Sequence, residues 1–224
     1  MINVKNFDIV TPGELLSDER NGGNGTYEED NKIYSKFLGM IQISDRGISV
    51  NPLTGNYYPS EGDDIIGEVT EISSKYWVVD INAPFYTRLD VRDVNFRAEL
   101  GELDKYIEIG DMIYARVFRV YPNNAADISM RGTRYGKLES KMITRIDSVK
   151  LPRLIGKEGA MINMIKEATK CDILVGQNGI VWVDGDESSR SVALSAIKFI
   201  DENYVDTDLT EKVRRLLEDV HGKI

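Results

Sequence analysis

The sequence predicts a multidomain chain that is mainly β at first and α+β at its end. A stretch dense in turn residues, Asn51–Asp63, indicates a boundary near residue 60. Short apolar runs with period-2 alternation follow as far as Met130, as in half-buried strands. From Lys141 the apolar period changes, and helical spacing follows after one further strand candidate. We therefore expect three domains, over residues 1–60, 61–132 and 133–224.

The first 60 residues are expected to form a β domain. Two apolar runs, Lys36–Ser44 and Gly47–Val50, indicate strands. The glycine-rich, acidic segment Asn21–Asn31 between the chain start and these runs indicates a loop. The turn-rich stretch then separates this domain from the next.

Five strand candidates occupy the second region, in the order DIIGEVTEIS, YWVVDI, FYTRLDV, MIYARVFRVY and ADISM. A long segment, FRAELGELDKYIEIGD, follows the third candidate, and this arrangement predicts a five-stranded OB-type barrel. Such barrels bind single-stranded nucleic acid through aromatic stacking and a basic groove. Alternation makes Trp77 and Phe85 candidates for the core. We therefore favour Arg88, Arg92 and Arg97 over the aromatic residues as nucleic-acid contacts.

The third region predicts the order β-α-α-β-β-α, followed by an extra terminal helix. MITRIDSVKL is expected to be a strand, and Pro152 suits the first turn of the helix after it. AMINMIKEATK and SSRSVALSAIKFIDENY carry apolar residues at helical spacing, on either side of the strands DILVG and GIVWVDG. DLTEKVRRLLEDV supplies the terminal helix.

Two glycines three residues apart, Gly156 and Gly159, lie between the first two predicted helices. Their spacing does not fit a Walker loop or a dinucleotide fingerprint. A plain helix corner would also use glycine. Within a β-α-α-β-β-α order, however, the pair is typical of a KH domain, whose loop clamps a nucleic-acid backbone. The candidate contacts in this domain are Ile155, Gly156, Lys157, Gly159, Lys150 and Arg153.

The charge distribution favours this location. The chain has a net charge of −9, yet residues 133–170 carry nine basic and four acidic residues. This basic island contains the glycine pair and indicates a local anion-binding surface, although chance clustering on a solvated face would look the same. Glu158 beside Lys157 opposes a phosphate contact.

Other functional classes find little support in the sequence. One cysteine, Cys171, cannot form an internal disulfide or a multi-cysteine zinc site, and one histidine, His221, cannot complete a catalytic triad convincingly. No apolar run approaches the length of a membrane span, and the first residues lack the apolar core of a secretory signal. We expect a cytoplasmic protein with no membrane association, no cofactor, no metal and no catalytic residues of its own.

Three segments together resemble the RNA-binding cap subunits of the archaeal exosome. The second region resembles an OB fold of the ribosomal-protein-S-one type, LPRLIGKEGAMINMIKEATKCDILVGQNGIVWVDGD resembles a KH domain, and the order of barrel before KH is that of this family. TPGELL, GTY and NPLTGNYYPSEGD are similar to the family's N-terminal domain. In the pattern of the barrel family, Lys75 and Val78 occupy positions of stacking aromatic residues, so the resemblance favours contacts by Lys75 and the arginines.

The resemblance implies a role without chemistry of its own. Three cap subunits, alone or mixed with the other cap type, sit on a hexameric phosphorolytic ring and guide the 3′ ends of single-stranded RNA into it for 3′-to-5′ degradation and processing. The N-terminal domain would dock on the ring through Pro12 and Gly13. Two alternatives stay open: a free-standing ribonuclease or other hydrolase, and a translation-linked RNA-binding protein with the same modules.

Overall fold

A computed structural model of the chain describes residues 3–6, 8–18, 21–23, 25–44, 47–52, 55–139, 142–206 and 208–221. The chain forms two compact units, Met1–Gly55 and Asn56–Ile224. Residue 24 of the predicted loop Asn21–Asn31 and residues 53–54 of the turn-rich stretch Asn51–Asp63 lie outside the described residues. The loop prediction is wrong for Thr26–Glu29, which form a strand.

The first unit consists of two antiparallel three-stranded sheets, β1-β5-β6 and β2-β4-β3. Its strands are β1 (Ile9–Val10), β2 (Leu15–Ser17), β3 (Thr26–Glu29), β4 (Lys32–Ser35), β5 (Gly39–Ser44) and β6 (Gly47–Pro52). Alternate residues of these strands point inward, as the period-2 pattern predicts. They form a core of Val4, Val10, Leu16, Ile33, Ile41, Ile48 and Val50.

The second unit begins with the predicted barrel. Its strands are β7 (Asp64–Ile72), β8 (Tyr76–Asp80), β9 (Thr87–Asp90), β10 (Met112–Val120), β11 (Ala126–Ser129) and β12 (Gly136–Leu138). The order β11-β9-β8-β7-β10-β12, with a further pairing of β10 to β11, closes the first five strands on themselves. The five predicted strands are confirmed. The sequence missed β12, because three residues are too few to show an alternation.

The barrel core explains two aromatic positions. Trp77 is fully buried, and its indole N–H donates to the carbonyl of Ile107 at 3.1 Å, so the long segment after β9 closes one end of the barrel. Phe85 is only half-buried and packs against the exposed ring of Tyr58, with ring centroids 5.2 Å apart. Of the two candidates for the core, Trp77 is therefore the central residue.

The β-α-α-β-β-α order is confirmed in the rest of the second unit. Its elements are β13 (Ile143–Arg145), α1 (Leu151–Ile155), α2 (Ala160–Thr169), β14 (Asp172–Val175), β15 (Ile180–Asp184), α3 (Glu187–Glu202) and the terminal α4 (Leu209–His221). The sheet has the antiparallel order β13-β15-β14, and the helices cover it through a core that includes Leu154, Ile165, Val181 and Ile197.

One strand is shorter than predicted. The segment MITRIDSVKL leaves the sheet after Arg145, and a 3-10 turn at Ser148–Lys150 leads directly into α1. The backbone N–H of Ile146 donates to the carbonyl of Gly179 at 2.9 Å, and that of Lys150 to the carbonyl of Asp147 at 2.8 Å. These bonds turn the chain away from the sheet, although its apolar pattern continues.

The turn between β14 and β15 joins the KH sheet to the barrel. Asn178 in this turn is fully buried, and its side-chain N–H groups donate to the carbonyls of Ile66 at 2.6 Å and Ile81 at 2.9 Å. Its side-chain oxygen accepts from the N–H of Ile66 at 3.3 Å. In return, the amide of Asn82 donates to the carbonyl of Asn178 at 3.3 Å. One asparagine thus satisfies buried backbone groups at two points of the barrel.

The residues next to Asn178 also connect the KH sheet to the barrel. A Cβ at Gly176 would lie 2.9 Å from the backbone nitrogen of Ile66, so this close approach requires glycine. Gln177 makes two bonds with Asp64: its N–H donates to the carbonyl at 2.8 Å, and its side-chain oxygen accepts from the N–H at 2.5 Å. Ile180 packs within the barrel core. Barrel and KH domain are therefore fixed to each other by both polar and apolar contacts.

Asp64 is also the centre of a charged cluster. Its carboxylate accepts from Arg116 at 2.9 Å, from the hydroxyl of Tyr135 at 2.7 Å and from Arg134. Burial raises the pKa of Asp64, but the hydrogen bonds from these three side chains outweigh it and hold the pKa below its ordinary value. The cluster connects β7, β10 and the segment before β12.

We predict that Asn178→Ala lowers the free energy of unfolding by about 3 kcal/mol, because buried backbone groups of Ile66 and Ile81 lose their partners. Urea unfolding followed by circular dichroism measures this change. Gln177→Ala is the control: it removes one bond at an exposed residue and should cost no more than about 1 kcal/mol. Equal losses for the two variants would contradict the assignment of Asn178 as the central contact.

The lowered pKa of Asp64 predicts that the protein loses stability in acid. Because its pKa in the folded chain lies below the ordinary value of 3.8, the cluster contributes fully above that value and is lost as the pH falls through the folded pKa. Melting temperatures of wild type and Asp64→Asn, measured from pH 7 down to pH 2, should therefore converge at the acid end of this range. A constant difference over the whole range would contradict the electrostatic role.

Candidate nucleic-acid interface

The loop between α1 and α2 has the backbone of a KH clamp. Gly156 has a φ of 74°, and a Cβ there would lie 2.8 Å from the backbone nitrogen of Met161. Gly159 has a φ of 82°. Both therefore adopt conformations that favour glycine. Glu158 adopts the left-handed region as well, with a φ of 54°, although it carries a side chain. The loop is thus a tight corner that brings backbone close to any ligand.

The surroundings of the loop suit an anion. Helix α2 begins at Ala160, so its first N–H groups and the positive end of its dipole lie next to Gly159. Lys157 is exposed and adds a charge, while Ile155 is half-buried and packs against the KH core. Glu158 is exposed beside Lys157 and offsets part of that charge.

Lys150 and Arg153 are engaged inside the domain. The ammonium of Lys150 donates to the carboxylate of Asp201 at 2.7 Å and lies 4.9 Å from the ring centroid of Tyr204. The guanidinium of Arg153 donates to the carbonyls of Tyr204 at 2.8 Å and Asp206 at 3.0 Å. Lys150, directly before α1, thus binds the end of α3, and Arg153 in α1 binds the segment after α3. Their contact with nucleic acid stays a prediction.

The outer face of the barrel carries a row of side chains across four strands. Val78 lies opposite Arg88, Arg88 opposite Asp127, and Asp127 opposite Arg119. Arg88 donates to both carboxylate oxygens of Asp127, at 2.6 and 3.3 Å. The hydroxyl of Tyr121 donates to the same carboxylate at 2.6 Å. Arg88 is therefore held rigidly on the face, with much of its charge balanced.

A groove of about 280 Å³ follows this row and is lined mainly by arginine–aspartate pairs. Arg92 donates to Asp90 at 2.9 Å, and this bond holds the pKa of Asp90 below its ordinary value. Arg131 pairs with Asp93 at 3.3 Å. The residues that line the groove are Arg88, Asp90, Arg92, Asp93, Phe118, Arg119, Asp127 and Arg131.

A bulge in β10 shapes one side of the groove. The register against β11 shifts between Val117 and Arg119, so the consecutive residues Phe118 and Arg119 are both exposed. The guanidinium of Arg119 lies 5.7 Å from the ring centroid of Phe118. Strict alternation along the sequence would have placed one of these two side chains inside.

The structure brings Arg88 and Arg92 together in one groove but places the other two predicted barrel contacts on nearby loops. Lys75 is exposed in the β7–β8 turn, and its carbonyl accepts from the N–H of Val91 at 3.0 Å. Arg97 is exposed in the long segment after β9. Sequence analysis missed Arg131, whose position directly after the last barrel strand was the available signal.

Among the described residues, no three His, Cys, Asp or Glu side chains are grouped to hold a metal ion. Within the same ranges, no helix has the length and hydropathy of a membrane span.

A closed OB-type barrel fixed to a KH domain, each with a nucleic-acid-binding type of surface, defines a class of modular RNA-binding proteins. Comparison with known families agrees. The family model for the N-terminal domain of the exosome RNA-binding protein RRP4 matches residues 8–54, and the KH domain model matches residues 142–189.

Comparison with individual proteins identifies one family within this class. The exosome complex component Rrp4 of Methanothermobacter thermautotrophicus is 39% identical over 99% of this chain and 71% of its own length. That of Picrophilus torridus is 38% identical over 96% of this chain and 94% of its own. A crystal structure provisionally described as an exosome complex RNA-binding protein aligns over 75% of this chain and 99% of its own, with a TM-score of 0.69 and 29% identity. The chain belongs to the Rrp4 family of exosome components.

The charges of Lys157 and Glu158 predict that substitutions at these neighbouring positions change RNA affinity in opposite directions. Lys157→Ala should weaken binding of single-stranded RNA several-fold and lower the slope of log affinity against log salt by about 0.7, because one phosphate contact is lost. Glu158→Lys should strengthen binding and steepen the slope. Fluorescence anisotropy with labelled RNA at several salt concentrations measures both.

Glu167→Lys is the matched control, since it makes the same charge change at an exposed residue on α2 outside the loop. If it strengthens binding as much as Glu158→Lys, a general charge effect, and not the loop, accounts for the result. Gly156 is a poor position for this test, because any side chain there would distort the loop.

Proposed function

We propose that the chain is a non-catalytic RNA-binding cap of an archaeal exosome. It binds single-stranded RNA and guides 3′ ends into a hexameric phosphorolytic ring, which carries out 3′-to-5′ degradation and processing in the cytoplasm. Three copies, alone or with the other cap type, occupy one ring. Similarity to the Rrp4 exosome components over 96% to 99% of this chain supports the assignment.

The observation that carries the proposal is the fixed joint between barrel and KH domain. Asn178 and Gln177 hold the two domains in one orientation, so an RNA strand meets two surfaces at a constant spacing. The KH loop offers a backbone clamp, and the barrel offers a groove of arginines. A guide needs two surfaces in a fixed orientation, because together they direct the strand along one path. It must also bind the strand weakly enough to release it.

Charge pairing supports the same function. In the barrel groove, Arg88, Arg92 and Arg131 each have an aspartate partner, so the groove attracts phosphates only moderately. Moderate, salt-dependent contacts suit a substrate that has to slide.

The first unit supplies a candidate surface for docking on the ring. Ile9, Phe37 and Leu38 are exposed by 54%, 46% and 44%. They lie close together, because β1 pairs with the start of β5 and the N–H of Gly13 donates to the carbonyl of Ser35. The predicted docking residues Pro12 and Gly13 are exposed in the turn between β1 and β2. Apolar side chains exposed together on a small unit are typical of a protein-binding surface.

We expect the purified chain to leave RNA intact in the presence of magnesium or phosphate, to bind it, and to co-elute with a phosphorolytic ring in gel filtration. Ile9→Asp should abolish co-elution and leave RNA affinity unchanged, since it places a charge in the apolar docking surface.

Ile109→Asp is the control for this experiment: it makes the same change at an isoleucine that is 64% exposed in the second unit. RNA turnover by the chain alone would favour the ribonuclease alternative. Recovery from cells with ribosomes instead of a ring would favour the translation-linked one.

A further inference from the structure

A second cleft on the barrel, of about 520 Å³, lies beside the arginine groove. It is formed where β9 begins and where the turn from β10 to β11 passes over it. Its main lining residues are Tyr86, Arg88, Tyr121, Pro122, Asn123 and Asp127. A cleft of this size is in the range that proteins use for small organic ligands.

The walls of the cleft suit a flat, uncharged ring. Tyr86 lies at the edge of the cleft, and 49% of the residue is exposed. Burial, together with a hydrogen bond to Tyr76, raises the pKa of Tyr86 to about 12, so its phenol stays neutral. The ring of Tyr121 is held in place, because its hydroxyl donates to the carboxylate of Asp127 and accepts from Arg88 at 3.4 Å. Two fixed aromatic rings and a proline give a surface for stacking.

Two polar side chains of the cleft offer donors, whereas the carboxylate of Asp127 already accepts from Arg88 and Tyr121. The hydrogen bonds of Arg88 with described residues engage its Nε and Nη2 atoms, which leaves Nη1 to donate to a ligand. The side-chain oxygen of Asn123 accepts from the N–H of Ala125 at 3.2 Å, which directs its amide N–H groups outward. These donors match the keto oxygens and ring nitrogens of nucleobases.

The cleft and the arginine groove share Arg88 and Asp127, so they form one continuous surface. Its aromatic half suits a base. Its other half carries Arg92, Arg119 and Arg131, which suit the phosphates on either side of that base. A peptide or an isolated small molecule would use one half only, whereas a nucleotide within a strand uses both.

We propose that this cleft binds one unstacked base of a single-stranded RNA, whose neighbouring phosphates lie in the arginine groove. The inference rests on the proposed function and adds to it a stacking site centred on Tyr86. The barrel then has a stacking platform after all, displaced from the Lys75 and Val78 positions to the start of β9 and the β10–β11 turn.

The test compares two RNA strands of about ten nucleotides on the full chain, one of oligo(A) and one with the same backbone but without bases. Wild type should prefer oligo(A). Tyr86→Leu should reduce that preference by roughly five- to a hundredfold, because the stacking ring is lost. Tyr86→Phe, which keeps the ring, should retain it. The salt slope should stay the same in all three proteins.

The outcomes separate the two proposals. If wild type binds neither strand, the proposed RNA-binding function fails. If it binds oligo(A) and Tyr86→Leu keeps the full preference for bases, only the stacking site is overturned. An equal loss of both strands in Tyr86→Leu would also overturn it, because the residue would then act through the shape or charge of the barrel. Melting temperatures should agree among the three proteins, since Tyr86 is half-exposed.

Discussion

The second unit depends on one buried turn, Gly176–Gly179. Asn178 replaces water as the partner of backbone groups in Ile66 and Ile81, and Gly176 lets the two backbones approach closely enough for it to do so. A buried amide of this kind is costly unless all its partners are in place, so the orientation of the two domains is tightly specified. The KH loop and the barrel groove, the two proposed RNA surfaces, are therefore held at a constant spacing.

Charge in this protein is arranged in pairs more than in patches. On the barrel face, Arg88, Arg92 and Arg131 each form an ion pair with an aspartate. Asp64 forms ion pairs with both Arg116 and Arg134. Paired arginines keep their positions and retain unused donor groups, but they produce a weaker field than free ones. A weak field with fixed donors favours contacts that form and break easily, which agrees with an acidic chain that guides RNA without storing it.

The two proposed RNA surfaces differ in how they are built. The KH loop depends on backbone conformation: Gly156 and Gly159 have positive φ values, and Glu158 shares the left-handed region. The barrel surface depends on side chains that neighbouring strands align, with the bulge at Phe118 exposing two residues in succession. Substitutions should therefore act on the loop through its shape and charge, and on the barrel through individual rings and donors.

The sequence by itself determined the order of the modules. Period-2 runs predicted the five barrel strands, helical spacing and the two glycines predicted the KH domain, and Pro152 indicated the first turn of its first helix. These features are local, so a few neighbouring residues encode them. Which charges stay exposed depends on the tertiary structure. Lys150 and Arg153, inside the basic island, turned to partners about 50 residues away, and Arg134 to Asp64, 70 residues away. Tyr86 and Tyr121 line one cleft because distant strands close the barrel. Charge and ring positions depend on such long-range pairing, which a linear pattern does not contain.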